Sequence, residues 1–400
     1  MERVGAAEPS RPAPGGRRLD GVDLLRGAAI AFVLMNHVNM RLVIAGIPYG
    51  RSLPRQVLDA LVWNGQTGVQ IFFAVSGFLI TATSLRRWQF PCAIRPRAFY
   101  RLRFARIAPL LILLLVILSL LHFTGSRWFS VPAKTGGLGR ALFAALTFHV
   151  NVLESRRGYL PGNWDVLWSL SVEETFYLLF PWCLLWPGRG RRLIALLVVL
   201  AAVGPFARTV LAGHNEVWRE YSYLGGMDAI ALGCLTALLV SRRRFSVRAA
   251  SVLRTAGAVL MLFILCCSAV VHRLGLARAG LDMTLLALGT CLVIAAAAQS
   301  AAAGSAITAP LRLLGRRSYE IYLTHMFVVI GGFTLFVDAG KPPSAVPILF
   351  AGVILTAAAL GEFVGRFYSD PLNRLIRRRG AGAGPRPAVS PPLGLSGRLE

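Results

Sequence analysis

Charge is what this 400-residue chain has little of. Asp, Glu, Lys and Arg make up 15% of it, against 55% hydrophobic residues, where a soluble domain carries about 25% charged residues. Those figures exclude a fold solvated by water all round, and the mean hydropathy of +0.60 agrees. Acidic residues are scarcer than basic ones, 18 against 43, for a formal net charge of +25. Lysine is almost missing: only Lys134 and Lys341 occur, and every other basic side chain is an arginine. The arginines fall between apolar runs, so they read as a topology signal, and no nucleic-acid partner is expected. The six cysteines (Cys92, Cys183, Cys234, Cys266, Cys267 and Cys291) contain no C-x-x-C spacing. Neither a zinc site nor a disulfide framework is supported, no metal is expected, and the thiols read as small apolar fillers. No small-residue cleavage site follows the first apolar run, which Asp20, Asp23 and Arg26 interrupt, so that run reads as an uncleaved helix.

Long apolar runs are what the chain does have. They centre on residues 22–44, 66–84, 107–122, 167–187, 193–211, 222–240, 250–270, 281–299, 318–337 and 346–366. Each is near the 20 or so residues that cross a bilayer as a helix. A shorter run, 140–152, matches a re-entrant or interfacial piece better. The arginine clusters decide the matter. If 140–152 does not cross, the clusters at 86–106, 189–192, 242–244, 316–317 and 377–379 all face the cytoplasm with the N-terminus. The expected fold is therefore all-α: a polytopic membrane bundle of about ten transmembrane helices with both termini cytoplasmic. Residues 1–18 and 377–400, rich in Arg, Gly and Pro, are expected to be disordered cytoplasmic segments flanking a membrane domain at 19–376. The stretch 123–166 is expected to be a long outer segment.

Ionisable groups inside apolar runs are expensive and are functional candidates. In the first run Arg26 and His37 are eleven positions apart, hence on one helix face and about 16 Å apart along the axis. That face could line a channel for an elongated anionic substrate. Equally, Arg26 could snorkel to lipid phosphate and His37 could bond a carbonyl. In the fourth run Ser169, Glu173 and Tyr177 share a face. Glu173 is expected about 9–10 Å below the outer edge, a depth similar to that of His37. A carboxylate beside an imidazole orients it and raises its basicity. Glu174 points elsewhere and reads as a surface or packing residue. His325 lies about two turns into the ninth run and reads as a helix–helix hydrogen bond or a catalytic group, and Asp228 is buried without an evident partner. Arg103 and Arg106, one turn apart, could fork onto phosphate oxygens or serve as a topology anchor.

Five stretches together resemble the acyltransferase 3 family of bacterial membrane proteins. LDGVDLLRGAAIAFVLMNHV is similar to its opening helix, with Arg26 and His37 in place. GVQIFFAVSGFLIT is similar to its second-helix signature and includes Ser76. FYRLRFARIAPL carries its Arg-x-x-Arg motif at Arg103 and Arg106. WSLSVEETFYLLFP holds Trp168, Glu173 and Tyr177, and SYEIYLTH holds Tyr319, Tyr322 and His325. The five occur in family order between about 20 and 370. One place departs: Gly226 stands where the family often has an arginine two residues before Asp228, which puts a charge pair at Asp228 in doubt. Many members also carry an extracytoplasmic esterase-like domain that completes transfer, so this chain is expected to finish the reaction itself or to hand over to a separate protein.

The resemblance implies a multi-pass enzyme of the bacterial cytoplasmic membrane. It would transfer an acyl group, acetyl being the expected one, from acyl-CoA to a hydroxyl of a glycan or a glycosylated small molecule. Acyl-CoA would be a substrate, and no permanently bound cofactor is expected. Arg26, Arg103 and Arg106 would hold the donor. His37 would act as general base oriented by Glu173, or would itself be acylated. Ser76, Tyr177, Tyr319, Tyr322 and His325 are further candidates. A secondary transporter or flippase of an envelope precursor is the rival reading, since such proteins also bury His, Glu and Arg.

Overall fold

The computed structural model describes residues 19–50, 53–88, 94–185, 189–299 and 304–379. Cys92, residues 1–18 and most of the expected C-terminal tail lie outside them. Among the described residues the regular structure is entirely helical. It opens with α1 (Asp20–Ile44), α2 (Arg55–Val62), α3 (Gly65–Trp88) and α4 (Pro96–His122). The connection after α4 holds α5 (Gly137–Leu146), α6 (Val150–Arg157) and α7 (Gly162–Asp165), then leads into α8 (Leu167–Leu185). Next come α9 (Arg189–Thr209), α10 (Glu216–Tyr221), α11 (Tyr223–Arg242), α12 (Val247–Cys266), α13 (Ser268–Arg273) and α14 (Leu281–Gln299). After them stand α15 (Ala309–Arg316), α16 (Ser318–Asp338), α17 (Val346–Val364) and α18 (Asp370–Arg379). α18 continues to Arg379, into the first residues of the segment expected as a tail.

Nine helices among the described residues are long and apolar enough to cross a membrane. The tenth expected span, α8, is 19 residues long but has adjacent glutamates that lower its hydropathy. The doubtful run 140–152 breaks into α5 and α6 at Phe148, whose φ is 57°. α5 alone, at ten residues, is about 15 Å long and too short to cross. Serine caps set two helix starts: Ser222 Oγ accepts from Gly225 N–H at 3.1 Å and Ser246 Oγ from Ala249 N–H at 3.2 Å.

Small residues bring the central helices together, as expected where lipid supplies no hydrophobic drive for association. α3 and α11 cross on Gly77 and Gly233. A Cβ on Gly77 would sit 1.9 Å from the Ile230 carbonyl oxygen, and one on Gly233 would sit 2.0 Å from that of Ala74.

The segment before α8 enters the bundle. Tyr322, five residues into α16, donates from its hydroxyl to the Val166 carbonyl at 3.0 Å. A Cβ on Gly162 would meet Met326 of α16 at 2.5 Å. α16 is 21 residues long, about 31 Å, and Met326 is only about 12 Å from its start. The N-terminus of α8 therefore lies beside the first half of α16, not beyond its far end. This displaces Glu173 from its expected depth near the outer surface toward the predicted cytoplasmic side, and that shift shapes the site.

Candidate active site

A cavity of about 420 Å³ opens among α1, α3, α4, α8 and α16, with α18 at its border. Arg26, Ser76, Arg103, Arg106, Ser169, Glu173, Tyr177, Tyr319 and Tyr322 all line it. All of these but Ser169 belong to the ten side chains expected to bind or react, so eight of those ten converge on one space, though they come from five helices. His37 and His325 are the two that do not line it.

Each arginine of the Arg-x-x-Arg pair is held by a carboxylate and a ring. Arg103 Nη2 donates to Glu174 Oε1 at 3.3 Å, and its guanidinium lies 3.8 Å from the centre of the Tyr177 ring. Arg106 Nη1 donates to Glu320 Oε1 at 3.2 Å, and its guanidinium lies 5.1 Å from the Tyr319 ring centre. Holding a guanidinium at this depth requires such partners. Glu174, expected as a surface or packing residue, is instead buried as the counter-ion of Arg103. Glu320 was not foreseen in its role at all. A balance of buried acids against the motif arginines would have pointed to both. Two cationic donors set beside aromatic faces, with N–H groups left over, suit a phosphate or another anion. Arg26 is anchored more loosely, 4.0 Å from Asp23.

Glu173 lines the same cavity. Its Oε1 accepts from Ser76 Oγ at 3.1 Å and its Oε2 from the Tyr177 hydroxyl at 3.4 Å. The expected direct bond to His37 is not formed. α8 begins low in the bundle, so Glu173 reaches the level of Arg26, and His37 is about 16 Å further along α1.

The partner of His37 is His325. Their rings meet edge to face with centroids 5.0 Å apart. The His37 Nδ1 lies 2.7 Å from the Val33 carbonyl and the His325 Nδ1 lies 2.6 Å from that of Tyr322. A carbonyl can only accept, so both Nδ1 atoms carry protons, and in the neutral form of either ring the lone pair is then on Nε2. His325 is fully buried, and its Nε2 has no hydrogen-bond partner. Tyr322 joins this pair to the cavity: it lines the cavity, its ring lies 5.6 Å from that of His325, and its hydroxyl is 2.7 Å from Ser169 Oγ. An arginine-lined chamber thus has in its wall a tyrosine whose ring packs against His325, and His325 in turn meets His37.

Asp228 has a charge partner after all. Arg208 of α9 donates from Nη2 to Asp228 Oδ2 at 2.8 Å. The doubt raised by Gly226 is resolved by a cation from another helix.

A multi-helix membrane domain with partly buried, preorganised arginines beside a pair of imidazoles belongs to the class of integral-membrane group-transfer domains. Residues 19–362 match the acyltransferase domain model of the acyltransferase 3 family, and the chain belongs to that family. The peptidoglycan O-acetyltransferase OatA of Listeria monocytogenes is 26% identical over 374 residues, covering 88% of this chain and 55% of its own length. The O-acetyltransferase OatA of Staphylococcus aureus is 25% identical over 388 residues, covering 90% of this chain and 58% of its own. This chain thus spans little more than half the length of these relatives. No solved structure matches it.

Proposed function

We propose that this protein transfers an acetyl group from acetyl-CoA to a hydroxyl of an envelope glycan, peptidoglycan being the acceptor named for the Listeria relative. The observation that carries the reading is that Arg26, Arg103 and Arg106 converge on one cavity whose wall residue Tyr322 packs against His325, the neighbour of His37. The donor enters from the arginine side, its diphosphate on Arg103 and Arg106 and its thioester arm past Arg26 and Tyr322.

His37 is the general base. Its Nδ1–H is committed to the Val33 carbonyl, so Nε2 takes the proton of the acceptor hydroxyl. The alkoxide oxygen attacks the thioester carbonyl, the C–S bond breaks, and the imidazolium returns its proton to the departing CoA thiolate. Glu173 is a positioning residue in the donor path, where it holds the hydroxyls of Ser76 and Tyr177.

The test is label transfer from radiolabelled acetyl-CoA to muropeptide glycan by the purified protein in nanodiscs. The expected result is labelled glycan and free CoA with the wild type, and neither with His37→Ala. An unchanged rate in that variant removes His37 from the chemistry. A wild type that leaves the thioester intact while moving an unlabelled precursor across a vesicle membrane supports a transporter instead.

A further inference from the structure

The cavity is more cationic than the motif arginines make it. Five arginines line it, Arg26, Arg87, Arg103, Arg106 and Arg377, against one carboxylate, Glu173. Arg26, Arg103 and Arg106 each have an acidic partner within 4.0 Å. Among the described residues, Arg87 and Arg377 have none within that distance. They reach the cavity from unrelated parts of the chain: Arg87 from the last turn of α3, and Arg377 from α18. Their exposure places them at the rim, outside the partly buried Arg103 and Arg106.

α18 is held in place, so the approach of Arg377 is built into the fold. Arg317 Nη1 donates to Asp370 Oδ2 at 2.8 Å, and the Tyr368 hydroxyl donates to the Pro109 carbonyl at 3.1 Å. Bringing guanidinium groups to one rim without counter-ions is repulsive unless an anion completes the set. Beside them Trp88, half-buried and packed against Phe99 at 6.2 Å, gives the rim a flat apolar wall. Unneutralised arginines next to an indole suit a ligand end that has both a phosphate and a planar base.

We propose that Arg87, Trp88 and Arg377 form the subsite for the 3′-phosphoadenosine end of the CoA donor, with the arginines on the phosphate and the indole against the purine. The proposal rests on the donor reading given above and adds the part of the donor that those motif residues leave unheld. A lipid headgroup offers the phosphate but no base, and the presence of Trp88 favours the nucleotide.

Equilibrium binding of CoA and 3′-dephospho-CoA to the full chain tests this, in nanodiscs of phosphatidylcholine with and without phosphatidylglycerol. The wild type is expected to prefer CoA in both lipids. Arg87→Gln and Arg377→Gln should each weaken CoA about tenfold, as loss of a charged hydrogen bond does, while leaving dephospho-CoA nearly unchanged. Arg377→Lys should keep part of the preference, and thermal unfolding of each variant separates a binding loss from misfolding. Equal wild-type affinity for the two nucleotides overturns the proposal, as does equal loss of both in the variants. An effect confined to phosphatidylglycerol nanodiscs assigns the rim to lipid and overturns it too. Should the wild type bind no CoA in either lipid, the donor reading itself fails.

Discussion

Two of the buried charge centres among the described residues are built to opposite standards. Around Asp228 everything is paired. Its Oδ2 accepts from Arg208 at 2.8 Å and Thr284 at 2.6 Å, and its Oδ1 accepts from Gln70 at 2.9 Å. Arg208 also donates to the carbonyls of Gly280 and Gly225. Around the cavity the pairing stops short. Arg103 Nε, Glu320 Oε2 and His325 Nε2 are buried without hydrogen-bond partners. Unmet polar atoms are costly in a low-dielectric interior, so a fold that keeps them beside a cavity has left room for something else to meet them. The first centre ties α3, α9, α11 and α14 together; the second is arranged for a substrate.

Substitutions can break or sharpen that contrast. The largest effect is expected at the imidazoles. His37→Ala should lower acetyl transfer at least about a hundredfold, the range for loss of a general base, while the protein stays folded in the membrane by detergent thermal scans. Next comes the paired centre. Asp228→Ala strands Arg208 and should cost about 3–5 kcal/mol, seen as a large fall in Tm or in the yield of folded protein. Asp228→Asn combined with Arg208→Met should recover much of it, because no buried charge is left alone. If Asp228→Ala instead left Tm untouched and abolished turnover, the division of labour drawn here would be reversed.

Arg103→Gln should act on the donor. Its KM should rise about tenfold with a smaller loss of Tm than Asp228→Ala, because Arg103 borders a cavity and is 23% exposed. A matching fall in kcat with no change in KM would argue against a donor contact.

The smallest effect is expected in the segment before α8. There Glu154 and Asp165 lie carboxyl to carboxyl. Burial and the neighbouring acid push Glu154 well above the usual carboxylate range, and burial pushes Asp165 up to about 6. Between the ordinary value near 4 and about 6 the folded state therefore binds more protons than the unfolded one. Stability should fall as pH rises through that window, and Glu154→Gln should flatten the profile. Thermal scans from pH 4 to pH 7 read this out, and a Tm that climbs over the window would contradict the sign.

Much of the architecture was legible because its causes are local. Apolar run length marks a span, and the spacing of Arg26 and His37 sets them on one face of α1. The five motif stretches supplied eight cavity-lining side chains out of ten candidates. What stayed hidden depends on distant segments. Glu174 is adjacent to Glu173, yet its pairing with Arg103 requires α8 and α4 to sit side by side. Arg208 could not be matched to Asp228 from spacing alone, since α9 and α11 are separate helices. The depth of Glu173 was misjudged because hydropathy assigns a span its two ends but not the dip of the connection before it.

By itself, then, the order of residues determined that the chain is a helical membrane bundle, which family it joins, and which side chains are too costly to bury idly. The first and the last follow from transfer free energies and helical periodicity, settled within about twenty neighbouring residues, and the family follows from the five motif stretches in order. Only the tertiary structure decided that His37 meets His325 instead of Glu173, that the motif arginines carry acidic counter-ions, and that α18 brings a fifth arginine to the cavity. Contacts between segments tens to hundreds of residues apart are selected by packing and by the need to satisfy buried charge, and neither has a local signature in the chain.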